Sequence, residues 1–437
     1  MNAREVNTLN IVGGRVIDPT TDADGRLVDI HVVDGRIAVI VEAGGALPSA
    51  DSVLDASNAV VSPGFVDLHT HLREPGREES ETIETGSRAA ALGGFTAVVA
   101  MPNTDPAQDS RAVVEFVREQ GRRAGLCEVV PSGCITVGRA GEQLVPYAEL
   151  MKSGVTLFTD DGNGVQDPLL MRRAFEYSSD LGVTMAQHCE VSRLTAGAVM
   201  HEGSCCSHLG LPGWPSIAEE LMVHRDIELV RITGGRLHVL HVSTARSVEM
   251  IRAAKADGLS VTAEVTPHHF TLDDESLRSF DPVFKVNPPL RTMADIEALK
   301  AGLRDGTIDA IATDHAPHAD HLKEQPLDTA PPGMLGLETA FALSVGELGM
   351  DLRSVLACLS WNPARIAGIA DRHGRPVAVG EPANLAVLDP GVGWTVDRRR
   401  LASKSRNTPY EGRSVTGRVR HTVLNGRAVV IDQVAQR

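Results

Sequence analysis

The chain has 437 residues, 42% hydrophobic and 23% charged, the make-up of a water-soluble globular protein large enough for more than one core. Lysine and arginine total 42 against 57 aspartates and glutamates, a formal charge of −15, which argues against a phosphate-tracking surface for nucleic acid and against an anionic membrane as partner. The opening MNAREVNTLN lacks a signal-peptide core, no apolar run approaches the roughly 20 residues that span a bilayer, and six scattered cysteines form no disulfide framework, so a cytoplasmic enzyme is expected.

The first 60 or so residues read as short strands. LNIVGGRVID, VDIHVVDGRIAVI and SVLDASNAVVSP alternate apolar and polar residues around Gly-rich or Asp-Gly turns. From residue 64 the rhythm changes. Apolar, β-rich runs recur at 64–69, 95–102, 128–136, 155–161, 183–190, 236–243, 261–269 and 308–318. Helical patterns lie between most of them, among them SRAAALGG, DPLLMRRAFEYSSDLG and ARSVEMIRAAKADG. Eight strands alternating with helices, apolar on both faces, predict a parallel (β/α)8 TIM-like barrel over residues 63–375. The last 60 residues return to short strands, ANLAVLDP and VTGRVRHTVLNGRAVVI, with Asn425-Gly426 as a hairpin turn. The fold class is therefore α/β, the barrel carrying a small β-sandwich domain formed from both termini, residues 1–62 plus 376–437.

Polar side chains collect at the carboxyl end of nearly every barrel run: His69 and His71, Asn103, Asp160 and Asp161, His188, His241, His268 and His269, and Asp314. In such a barrel that rim is where active sites are built. Residues i and i+2 of a strand point the same way, so His69 and His71 of GFVDLHTHLREPG can face one ion together. An H-x-H pair alone is a weak signal. Joined by His188, His241, Asp314 and a strand-four aspartate it becomes a ligand set suited to Zn²⁺. Six candidate ligands exceed the need of one tetrahedral ion, and two ions sharing a bridging carboxylate and water would use them all.

These residues and their surroundings resemble the cyclic amidohydrolases, specifically the longer, class I dihydroorotases. The likeness runs nearly end to end through GFVDLHTHLREPG, MPNTDP, FTDDG, HVST, EVTPHH, NPPLR, ATDHAPH, GLETA and NPAR. It implies two Zn²⁺ per subunit: His69 and His71 hold one ion with Asp161 and Asp314, His188 and His241 hold the second, and Asp161 bridges. Asp160 is the competing bridge, since adjacent strand residues face opposite ways. Related hydantoinases, allantoinases and shorter dihydroorotases bridge with a carboxylated lysine. Strand four here, VTLFTDDG, offers none, which points away from them.

The implied activity is the reversible cyclisation of N-carbamoyl-L-aspartate to L-dihydroorotate plus water in de novo pyrimidine biosynthesis. A water flanked by two cations has its pKa lowered toward about 7, and Asp314 can carry its proton to the leaving nitrogen. Arg73 would fork onto the substrate carboxylate, with Asn103 and His318 as further partners, and His71 lies beside them. Asn287 and the backbone at Pro332 and Gly333 would meet the ring amides; many relatives carry an aromatic residue where Pro332 stands. The competing reading of Arg73 is a surface salt bridge with Glu74 or Glu78. Residues 316–335 form a long polar connection that reads as a lid over the substrate.

Other stretches carry less. HEGSCCSHLG (201–210) lacks zinc-knuckle spacing and reads as a surface loop. His268 and His269 read as packing groups or as groups behind the ligands, and DRRRLASKSR (397–406) as a solvated basic run. No nucleotide-binding glycine loop is present. The alternatives are a hydantoinase- or allantoinase-like enzyme and a non-catalytic scaffold for aspartate carbamoyltransferase; every implied ligand is present, which disfavours the scaffold. The resemblance leaves room for a homodimer and for an active enzyme docked on that transferase.

Overall fold

The computed structural model describes residues 7–21 and 25–437. The reading of the extreme amino terminus, and the part of the expected terminal domain at 1–6 and 22–24, lie outside the described residues.

The two ends of the chain meet in one nine-stranded sheet. Thr8–Val16 pairs antiparallel with Arg26–Val33, and that strand with Arg36–Glu42. Val60–Pro63 pairs with Leu385–Thr395, placing Val61 opposite Val387, and Leu385–Thr395 pairs onward with Ser414–Leu424. Alternate residues of these strands, including Ile11, Ile30, Val32, Val61, Val387 and Val423, bury together as a core of their own. The turns follow from sequence. Asp34-Gly35 and Asn425-Gly426 both hold positive φ at both positions (47° and 82°, 48° and 75°), as a two-residue hairpin requires.

The chain passes from Val60–Pro63 through Gly64 straight into the first barrel strand, Phe65–Thr70. The other barrel strands are Phe95–Ala100, Glu128–Pro131, Leu157–Phe158, Thr184–Gln187, Arg236–Val239, Val261–Val265 and Ala310–Ile311. All their pairings are parallel. Bridges at Gly133↔Phe158 and Thr70↔His315 join the two arcs and close the barrel. All residues of the first two strands are buried, which explains their unbroken apolar runs.

The intervening helices begin and end where their sequences direct. Pro168–Leu181 starts on Asp167, whose carboxylate accepts from the amides of Leu169 and Leu170, and stops at Gly182 in the left-handed conformation. Ala245–Ala256 is capped by the Thr244 hydroxyl. The NPAR segment packs Ala364, Ala367 and Ile369 against Val66, Leu68 and Ala310, sealing the seam between first and eighth strands.

Several barrel strands are shorter than their apolar runs. The polar residues at the run ends leave the ladder and turn into the barrel mouth. Three do so with a backbone that L-residues rarely adopt: Arg73 (φ 61°), His241 (φ 30°) and Asp314 (φ 45°). Residues 201–210 are more than the expected surface loop. They include a helix, Ser204–Leu209, whose Cys205 and Cys206 are buried with Leu277, Val286 and Leu290, so packing rather than metal-ligand spacing accounts for the cysteine pair. The expected solvated run 397–406 also differs: Leu401, Ser403 and Ser405 are buried, because every second residue faces the barrel rim.

Candidate active site

The first, fourth, fifth, sixth and eighth barrel strands deliver side chains to the same rim, and four imidazoles meet around Asp161. Its Oδ1 lies 3.4 Å from His69 Nε2, 3.5 Å from His188 Nδ1 and 3.6 Å from His241 Nε2, and its Oδ2 lies 3.5 Å from His71 Nε2. Asp314 Oδ1 completes the cluster, 3.0 Å from His71 Nε2 and 3.5 Å from His69 Nε2. Asp160 points elsewhere. Its Oδ1 accepts from the amides of Ile135 (2.8 Å) and Thr136 (3.0 Å) and its Oδ2 from the Thr136 hydroxyl, tying the third strand's loop to the fourth. Arg139 donates to the Asp161 carbonyl at 2.6 Å and so fixes the backbone from which Asp161 projects.

Three of the four outward ring nitrogens are engaged. His69 Nδ1 donates to Glu264 (2.8 Å), His71 Nδ1 to the Asn103 side-chain oxygen (2.9 Å), and His188 Nε2 to Glu190 (2.8 Å). These bonds leave the inward nitrogens of the three rings as lone pairs, the tautomer a metal ligand needs. His188 Nδ1 and His241 Nε2 face each other at 2.9 Å, and His69 Nε2 and Asp161 Oδ1 are buried without a hydrogen-bond partner. Ring nitrogens and carboxylate oxygens converging in a buried place can together hold a cation. The charge balance agrees. Burial opposes a charge on His69, yet Asp161 and Asp314 hold its imidazole well above its ordinary range. Burial likewise opposes charge on Asp161, but His69 foremost, with His188 and His241, holds it well below the usual carboxylate range. The two carboxylates thus call for positive charge at the centre. Two groupings suit an ion, His69–His71–Asp314 and His69–Asp161–His241, and this donor set fits borderline divalent ions such as zinc.

Beside this cluster opens a cavity of about 220 Å³ whose walls include every residue expected to bind substrate: His71, Arg73, Asn103, Asn287, His318, Pro332 and Gly333. Arg73 is buried and, among the described residues, has no carboxylate partner. Its Nε donates to the Pro317 carbonyl (3.1 Å), and one terminal nitrogen lies 3.4 Å from His318 Nε2. The competing surface pair is not formed. Glu74 instead accepts from the Ile83 amide and Glu78 from the Gly76 amide. Burial and the nearby Arg77 pull the Arg73 guanidinium down to about 10, so it stays cationic at neutral pH. An unpaired buried cation facing a cavity is a receptor for an anion.

Asn287 donates to Glu190 (3.2 Å) and leaves its side-chain oxygen unpartnered at the cavity. The Pro332 carbonyl accepts from His318 Nε2 (2.8 Å), so it positions that imidazole and is already engaged. The connection 316–335 contains a short helix, Asp320–Lys323, and lays Ala316, His318 and Pro331–Gly333 along the cavity. His269 is spent on Thr266 and the Pro288 carbonyl, whereas His268 Nε2 is buried and unpartnered; burial lowers that imidazole to about 4 and keeps it neutral.

Two carboxylates went unread in the sequence. Glu264 sits mid-strand in the seventh run, accepting from His69 and, at 3.0 Å, from His238. Burial works to raise its carboxyl, but the two imidazoles outweigh that and hold it at about 2. A charged residue inside an otherwise apolar run was the available signal. Glu190 joins His188 to Asn287. Glu264→Gln is expected to weaken divalent-ion binding roughly 10- to 100-fold, because it releases the ring that His69 presents; zinc titration of the metal-stripped protein reads this directly, and an unchanged affinity rejects the role.

A family model described as "Dihydro-orotase-like" matches residues 58–247. A dihydroorotase of Mycobacterium leprae is 52% identical over 417 residues, spanning 94% of this chain and 96% of the relative. One from Anaeromyxobacter dehalogenans is 49% identical over 437 residues, spanning 99% and 100%. Among solved structures, an L-hydantoinase (dihydropyrimidinase) from Arthrobacter aurescens has the same fold, with a TM-score of 0.85 at 24% identity, covering 99% of this chain and 98% of that one.

Proposed function

The chain belongs to the dihydroorotases, cyclic amide hydrolases, and from that premise we propose which of its residues carry the interconversion of N-carbamoyl-L-aspartate and L-dihydroorotate plus water. His69, His71, Asp161 and Asp314 would hold one zinc ion and His188 and His241 a second, with Asp161 shared; the support is the convergence of the four imidazoles on Asp161, with His69 Nε2 and Asp161 Oδ1 unpartnered among the described residues. Bound there, divalent ions supply Lewis acidity, bringing a water near ionisation at neutral pH and polarising the ring carbonyl.

The protein's own groups do the rest. Arg73, with Asn103 and His318 beside it, binds the substrate carboxylate. Asn287 accepts from a ring N–H with its free oxygen, and Gly333, whose amide is spent on the Lys285 carbonyl and whose carbonyl accepts from Lys323 and Asn407, forms the wall beside the other amide edge. Asp314 accepts a proton from the attacking water as the new C–O bond forms. It returns that proton to the ring nitrogen as the C–N bond breaks, leaving a ureido group and a carboxylic acid that ionises to solvent. Ring closure runs the same transfers in reverse. His71, held by Asn103 on one side and close to Asp314 on the other, keeps that carboxylate aimed at the cavity.

Arg73, a buried cation with no carboxylate partner among the described residues, beside the candidate metal cluster, is the observation that carries the substrate assignment. The test is hydrolysis of L-dihydroorotate followed spectrophotometrically, with metal analysis of the same sample. Turnover with about two zinc ions per chain is expected. Turnover of hydantoin or allantoin but not dihydroorotate rejects the substrate. No helix among the described residues is long and apolar enough to cross a membrane. We extend the reading to a cytoplasmic homodimer that can dock on aspartate carbamoyltransferase, on the strength of composition and family likeness.

A further inference from the structure

The segment after the Leu385–Thr395 strand leaves the sheet and runs along the barrel rim. Its hydrogen bonds go to the loops that follow the first and eighth barrel strands. Ser405 Oγ donates to the Ser80 carbonyl at 2.6 Å, the Lys404 amide to Glu81 at 3.0 Å, and the Ser403 hydroxyl to the same carboxylate. Glu81 also lies 3.4 Å from Nε2 of His315, the neighbour of Asp314.

At the end of this strap stands Asn407, 4% exposed. Its side-chain oxygen accepts from the His318 amide (3.2 Å), and its side-chain nitrogen donates to the carbonyls of Ala316 (3.0 Å) and Gly333 (3.1 Å). Its own carbonyl accepts from the Leu335 amide at 3.1 Å. All the side-chain hydrogen-bonding groups are thus spent on one object, the 316–335 connection, and they grip both of its limbs. One limb carries His318 and the other Gly333. The limbs pack so closely that a Cβ on Gly333, at φ +142°, would lie 2.8 Å from Ala316 Cβ and 2.9 Å from His318 Nε2. No side chain fits between them, and the Ala316 amide on the Met334 carbonyl (2.8 Å) and the Gly333 amide on the Lys285 carbonyl (2.9 Å) also hold them. Lys323 also donates to the Gly333 carbonyl (3.1 Å), but it belongs to the connection and moves with it. Asn407 is anchored in a different part of the chain, through the strap's bonds to Ser80 and Glu81.

We infer that Asn407 is a positioning residue for substrate binding: reaching in from the carboxyl-terminal segment, its amide clamps the two limbs so that His318 and Gly333 meet the substrate together. It does not line the cavity and acts through those two residues. The inference rests on the reading of the cavity as the dihydroorotate site. A misplaced binding group weakens association before it slows chemistry, so the effect belongs in KM.

Two variants test it. Asn407→Asp keeps the shape and the acceptor for the His318 amide but turns an oxygen toward two carbonyls; Asn407→Ala removes the clamp without adding charge. Both are expected to raise KM for dihydroorotate about tenfold or more, the cost of one or two buried hydrogen bonds, while kcat changes less than about threefold. Zinc content should stay at the wild-type value, and the His318 and Leu335 amides should exchange faster with deuterium. An unchanged KM in either folded variant overturns the inference, as does a fall in kcat larger than the rise in KM. If Asn407→Asp does not fold, Asn407→Ala alone decides. Absence of dihydroorotate turnover in the wild type overturns the underlying reading and this inference with it; normal wild-type turnover with unchanged variant KM overturns the inference alone.

Discussion

Asp314→Asn is expected to lower kcat by about 10³-fold or more while the protein stays folded, the cost of removing a proton carrier that also touches the metal cluster. Asparagine is the informative replacement. Asp314 holds φ 45°, a conformation that asparagine tolerates and alanine does not, so the amide leaves the backbone unperturbed. It also keeps a side-chain oxygen beside His71 Nε2, 3.0 Å away in the native protein. What it loses is the capacity to take and return a proton. In the native site burial works to raise the Asp314 carboxyl, but His69 and then His71 outweigh it and hold it far below the ordinary range, so it is anionic at neutral pH. Steady-state kinetics with zinc analysis and thermal unfolding of the same samples separate the causes. A variant that binds zinc normally and keeps more than about a tenth of the native rate lacks the loss expected for general acid–base chemistry, and the proton-carrying role is then wrong.

The parts of this site that were legible in the sequence share one property: each follows from local periodicity plus the architecture it implies. Eight apolar runs predict eight parallel strands, and a polar residue at the end of a run predicts a side chain in the barrel mouth. His69, His71, His188, His241 and Asp314 were found that way, and they stand together. The choice between Asp160 and Asp161 was not legible, because alternation says only that one faces in. Asp160 is directed outward by the amides of Ile135 and Thr136, a tertiary contact across 24 or 25 residues. Glu264 stayed hidden because its partners, His69 and His238, come from two other strands. The run 397–406 reads as solvated because its charges dominate its composition. Its buried positions, Leu401, Ser403 and Ser405, alternate with exposed or half-buried ones, and serine carries no hydrophobic signal to reveal that period.

Arg73→Met should move binding and stability in opposite directions. Arg73 holds a cation in a buried place with one carbonyl bond, at Pro317, and no carboxylate among the described residues. Taking a charge out of water without pairing it costs free energy in the unliganded protein, and a methionine of similar length removes that cost. The free variant should therefore resist urea as well as the wild type or better, by about 1 kcal/mol. Binding suffers instead, because the substrate carboxylate would be buried without its partner. Truncating one side of such a pair costs about 2–5 kcal/mol, so KM for dihydroorotate should rise about 30- to 4,000-fold. Arg73→Lys keeps the charge but not the two-pronged geometry and should fall between the two. Wild-type and Arg73→Met urea curves, with and without a saturating carboxylate analogue of the substrate, make the comparison complete: the ligand should stabilise the wild type and leave the variant nearly unmoved. A variant that is less stable when free, yet binds the analogue normally, would mean that Arg73 serves the fold and that the substrate carboxylate is held elsewhere.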